Sequence, residues 1–156
     1  MKIIAIVAVL LAAAPAVAKP WQGIEPGQSK REQIIQKFGE PSRVVTSEGK
    51  EVIAYFGPKA IQGTKQVQFT VDPGSQHVER IAVFPGPVID KESVESTYGP
   101  ACPSSGKVPA APCYQKKITD DFRTYLHYSK LGLAIFLNED GKTVHSFIFT
   151  PQPAGK

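Results

Sequence analysis

Residues 67–85 align with residues 133–151 without a gap, at an offset of sixty-six. Val67, Phe69 and Val71 meet Leu133, Ile135 and Leu137. Asp72 meets Asn138, Val78 meets Val144, Ile81 meets Phe147, Val83 meets Phe149 and Pro85 meets Pro151. Each block reads as an alternating strand, a turn and a second strand, since side chains on a strand face opposite ways in turn. In both blocks the apolar parity breaks at the same place, between Val78 and Ile81 and between Val144 and Phe147. A shared bulge explains the break. Agreement at this level of detail indicates internal duplication, and a duplicated chain must bury the apolar faces of both copies.

The repeat extends upstream. Ser29 to Gly39 reads as a short helix, with Ser29 as cap, Glu32 at the reciprocal capping-box position and Ile34, Ile35 and Phe38 on one apolar face. Gly39 suits the position just past a helix end, and Pro41 prevents resumption. Asp90 to Gly99 repeats the design at an offset of sixty: Glu32 meets Glu92, Ile34 meets Val94, Phe38 meets Tyr98 and Gly39 meets Gly99.

In chain order, residues 21–27 lead in, and Trp21 or Ile24 packs beside the first helix. Residues 42–49 form a polar link, residues 52–56 a strand and residues 57–65 a long hairpin loop. Strands follow at 67–71 and 78–84, joined by Asp72-Pro73-Gly74-Ser75. The second copy continues after its helix with a cysteine loop, then strands at 123–128, 133–137 and 144–150. The expected fold is α+β and two-layered: two tandem repeats, each a helix plus a three-stranded antiparallel sheet, at 19–86 and 87–156.

Residues 1–18 read as a signal peptide: Lys2, an apolar run from Ile3 to Ala14, then Ala16-Val17-Ala18 as a small-x-small cleavage site. The run is shorter than the ~20 apolar residues of a membrane span, and no cysteine near the site offers a lipid anchor. The expected setting is periplasmic or secreted, with no stable membrane span. Cys102 and Cys113 are the only cysteines, and in an exported chain they read as a disulfide. Their spacing does not suit C-x-x-C, and no histidine lies close by. Fourteen prolines and thirteen glycines fall between periodic segments, so they mark tight turns rather than disorder. A net charge of +4, without a block of like charges, does not point to nucleic acid.

Gly27-x-Ser29-Lys30-x-Glu32-x-Ile34, followed by Phe38-Gly39-x-Pro41 and a tyrosine-containing strand, resembles the SmpA/OmlA domain of small bacterial outer-membrane proteins, the BamE type. Two such units in one exported chain are similar in architecture to β-lactamase inhibitory protein. The resemblance implies a non-enzymatic binding protein. BamE-type proteins are lipid-anchored and assist outer-membrane assembly, whereas this chain has no lipidated cysteine. The inhibitory proteins present an acidic hairpin-loop residue; here the loop from Gly57 to Lys65 has no acid and two lysines, Lys59 and Lys65.

No catalytic constellation stands out. His77, His127 and His145 lie in no H-E-x-x-H or His/Cys cluster. Asp120-Asp121 reads as a turn former. Ser104-Ser105 lacks a G-x-S-x-G context, and there is no glycine-rich phosphate motif. No cofactor or metal is expected, and the chain does not read as an enzyme. If Phe69, Ile81, Ile135 and Phe147 face the helices, the opposite sheet face carries Gln68, Thr70, Arg80, Ala82 and Phe84, then Tyr125, His127, Ala134, Phe136, Ser146 and Ile148. Tyr, Phe and Arg on one surface match the composition of interface hot spots. The expected protein-binding residues are Tyr125, His127, Phe136, Ile148, Arg80, Gln68 and Phe84, with Tyr125 and Phe136 as anchors. The function expected is an envelope protein-binding module working through this face. The alternatives are a secreted inhibitor of a hydrolase and an enzyme with an unrecognised site.

Overall fold

The computed structural model describes residues 19–107 and 109–152; the signal-peptide reading of residues 1–18 lies outside them. The element order is α1 (Arg31–Phe38), β1 (Arg43–Ser47), β2 (Lys50–Phe56), β3 (Thr64–Val71), β4 (Val78–Pro85), α2 (Lys91–Tyr98), β5 (Gln115–Ile118), β6 (Thr124–Tyr128), β7 (Leu133–Leu137) and β8 (Val144–Phe149). All neighbouring strands pair antiparallel, in the order β1-β2-β3-β4-β8-β7-β6-β5.

This corrects the expected architecture. Two tandem helix-plus-three-stranded sheets do not form; the strands make one eight-stranded sheet, continuous across the β4–β8 pairing. Two strands were unforeseen. The polar link at 42–49 contains β1, and β5 follows the cysteine loop. Both are edge strands. Every residue of β1 is exposed, and β5 reads Gln-Lys-Lys-Ile, so neither shows the alternation that marks a half-buried strand. Edge strands bearing charge and little apolar pattern are how sheets avoid pairing with other chains. β1 turns into β2 through Glu48 and Gly49, both at positive φ, the two-residue hairpin geometry that matches strand twist.

The capping reading also changes for α1. Lys30 is the N-cap residue, and its backbone N–H donates to Gln33 Oε1 at 2.7 Å. The Ser29 hydroxyl instead accepts from Glu25 N at 2.9 Å. In α2 the cap is Asp90, whose carboxylate accepts from Ser93 N at 2.7 Å.

Both helices lie on the same face of the sheet. Ile34 and Val94 are buried in one apolar cluster with Ile53, Tyr55, Phe69, Ile81, Leu126, Tyr128, Ile135 and Phe147. Phe38 stacks on Phe69, and Tyr98 approaches Tyr128 and Phe147. Trp21 and Ile24 of the leading segment join this side, as does Tyr114, which follows the cysteine loop. Among the described residues no element packs on the opposite face. An antiparallel sheet can leave one face to solvent in this way.

The copies agree in their hydrogen bonds. Val78 N donates to Ser29 O and Val144 N to Ile89 O; Arg31 N donates to Gln76 O and Lys91 N to Lys142 O. The Tyr55 hydroxyl donates to Gly39 O, and the Tyr128 hydroxyl to Gly99 O, each at 2.8 Å. The parity break is a bulge in each copy: Thr70 and Val71 pair with Arg80 and Val78, leaving out Glu79, and Phe136 and Leu137 pair with Ser146 and Val144, leaving out His145.

Candidate functional site

The strand register draws a straight row across the uncovered face: Arg43, Ala54, Gln68, Ala82, Ile148, Ala134, His127 and Gln115. A parallel row lies to one side in each half. In the second half Lys117, Tyr125, Phe136 and Ser146 are successive partners. Their first-half counterparts are Val52, Thr70 and Arg80. The halves are therefore equivalent in backbone and different in chemistry: Val-Thr-Arg on one side, Tyr-Phe-Ser on the other.

Tyr125 and Phe136 are half-buried and stacked, with ring centroids 5.0 Å apart and planes 19° apart. Offset stacking of this kind adds stability beyond area burial. The Arg123 guanidinium sits over Phe136 at 5.2 Å, a cation–π contact. Its Nε donates to Asp121 Oδ2 at 2.8 Å, while its side chain is 58% exposed. The Thr119 hydroxyl, then Arg123, hold the Asp121 carboxyl below its usual range. His127 reaches the edge of Tyr125 at 6.3 Å; burial, then Lys117, pushes its pKa down, favouring the neutral ring.

Not every expected residue belongs to this cluster. His127 and Gln68 are half-buried in the central row, on opposite sides of Ala82, Ile148 and Ala134. Arg80 is exposed in the polar half, opposite Thr70. Phe84 is half-buried and meets His145 edge-on at 5.6 Å. Ile148 and Ser146 were expected to be exposed but are buried, Ile148 to 8%. They lie on central strand β8, flanked on both sides by β4 and β7, so neighbouring side chains cover them.

Arg123, Phe122 and His145 were missed. Arg123, Phe136, Asn138, Glu139, Asp140, Thr143 and His145 line an open groove of about 560 Å³ beside the aromatic pair. Phe122, two residues after Asp120, is 88% exposed at a positive φ of 61° in the β5–β6 turn. A bulky residue held there is uncommon and strained. A signal for Arg123 was present: Tyr55 and Tyr128 are equivalent, and counting back from them places Arg123 on Lys50. His145 likewise falls on Glu79.

Cys102 and Cys113 are bonded, and no free cysteine is present among the described residues. The bond closes the loop beside α2. There Gly99, at φ +113°, lies so near the Pro112 carbonyl that a Cβ would sit 2.1 Å from its oxygen. No helix among the described residues is long and apolar enough to cross a membrane. Among these residues no group of three or more His, Cys, Asp or Glu is placed to hold a metal ion.

No protein-family model matches the chain, and no curated protein matches it. Among solved structures it is similar to a DUF4309 family protein (YjgB) from Bacillus subtilis, at a TM-score of 0.51 and 17% identity over 83% of each chain. At that identity the likeness concerns the fold alone.

Proposed function

We propose that this chain is an exported, non-enzymatic binding module that holds a protein partner against the second half of its uncovered sheet face. One observation carries the reading: the Tyr125–Phe136 stack, topped by Arg123, stands where the equivalent half has Val52, Thr70 and Lys50. Plain solvent exposure favours Val52, Thr70 and Lys50. Aromatic rings and arginine are the residues that anchor interfaces.

The disulfide supports an oxidising compartment, and with the leader-like sequence of residues 1–18 it supports the reading of a periplasmic or secreted setting. The BamE-type resemblance of residues 27–41 supports the bacterial envelope. The test is capture of partners by the mature protein from its own envelope fraction. Tyr125→Ala and Phe136→Ala should each weaken capture at least about tenfold while barely moving Tm. Capture that is unchanged in both variants overturns the proposal.

A further inference from the structure

The two copies treat one corner of the sheet in opposite ways. In the first, Lys50 Nζ donates to Asp72 Oδ1 at 2.8 Å and to Glu79 Oε1 at 2.9 Å. These bonds hold the Asp72 carboxyl far below its usual range, with Ser75 adding to the effect, and raise the pKa of Lys50. The equivalent positions in the second copy are Arg123, Asn138 and His145. The cation is retained and both carboxylates are gone. Asn138 donates its amide N–H to Thr143 Oγ1 and Val144 O. His145 Nδ1 lies 3.1 Å from Ser146 Oγ; in the tautomer in which Nδ1 accepts, Nε2 carries a proton it can donate.

The corner so emptied is the groove of about 560 Å³. Resting on the binding-module reading above, the geometry points to its occupant: an acidic side chain of the protein partner, whose carboxylate takes the place of the missing Asp72 and Glu79 counterparts beside Arg123 and His145. Arg123 is bonded to Asp121 through Nε alone among the described residues, so its terminal nitrogens remain for a carboxylate fork. Phe136, in the place of Thr70, offers an apolar wall for the carbons that carry the acid. The acids on the rim do not supply the missing group. Asp140 accepts from Lys142 N, Thr143 N and Thr143 Oγ1 of its own turn, and Glu139 is exposed on that turn.

The probe pair is 3-phenylpropionate and its uncharged amide, followed by NMR titration of the mature protein. The acid should give saturable shifts at Arg123, Phe136, Asn138 and His145, and the amide should bind at least about tenfold more weakly. Arg123→Gln should abolish the difference, whereas Lys50→Gln in the other copy should leave it. The double variant Asn138→Asp with His145→Glu rebuilds the first copy's network; it should stay folded and lose the acid. No saturable shift, an amide that binds as well as the acid, or a folded double variant that binds like the parent overturns the assignment. The broader reading fails separately: envelope capture untouched by both Tyr125→Ala and Phe136→Ala overturns that reading even where acid and amide are discriminated.

Discussion

The corner at Lys50 and the corner at Arg123 share a backbone, a bulge and a cation. They differ in what surrounds the cation. Lys50 is closed by two carboxylates of its own chain, and the face beside it is Val52, Thr70 and Arg80. Arg123 meets one carboxylate two residues away, an aromatic ring and an open groove. Two halves with matching bulges thus allow an internal comparison. The first half shows this corner closed within the chain, so the fold itself does not require the departures seen in the second half.

The helix-side face sets the largest expected effect, because there the copies are alike. Phe69→Ala and Ile135→Ala empty equivalent, fully buried positions. Each should cost about 2–5 kcal/mol in denaturant unfolding. Phe136→Ala, one residue along and half-exposed, should cost clearly less. If Phe136→Ala costs as much as Ile135→Ala, the ring belongs to the core and the contrast between the two faces fails.

Next in size is the disulfide, which only the second copy has. Reducing the Cys102–Cys113 bond should cost about 3 kcal/mol in the chain-entropy model. Hydrogen exchange should rise first around α2 and the loop that follows it, while α1 keeps its protection. Uniform loosening of both helices would show that the loop braces the whole sheet and not one copy.

The tyrosine pair sharpens the comparison at about 1 kcal/mol. Tyr55→Phe and Tyr128→Phe each remove one hydrogen bond to a helix-ending glycine carbonyl. Burial is the main cause that raises both phenol pKa values. Equal losses in thermal unfolding would confirm matched sites; a loss at only one would separate them.

The smallest effect depends on pH. His127 stands where the first copy has Ala54, and its folded pKa lies below the ordinary histidine value of about 6.5. The folded state therefore takes up the proton less readily than the unfolded chain. The stabilising contribution is complete above the unfolded pKa and is lost as pH falls through the lower, folded value. His127→Ala, which copies the first half, should flatten the fall in Tm between about pH 7 and pH 5. A slope unchanged by the substitution places the acid sensitivity elsewhere.

Taken by itself, the sequence determined the elements whose residues carry a period. The alternation at 67–71 and 133–137, the break before Ile81 and Phe147, the Asp90 cap and the glycine stops are local, and local physics settles them. It also separated the two sheet faces by parity, so Tyr125, Phe136 and His127 fall on the uncovered side. The Cys102–Cys113 pair was legible because no other cysteine competes. What tertiary structure alone decided was everything set by neighbours distant in the chain. β1 and β5 are strands because β2 and β6 offer them open edges, not because their own residues alternate. The halves join into one sheet because β4 and β8 pair antiparallel, and a pairing between strands of separate copies leaves no trace in either copy's pattern. Ile148 is buried because its strand ends up in the middle. Arg123 became informative only when set against Lys50, and that match depends on a tyrosine register that the turns, of unequal length, conceal in the linear sequence.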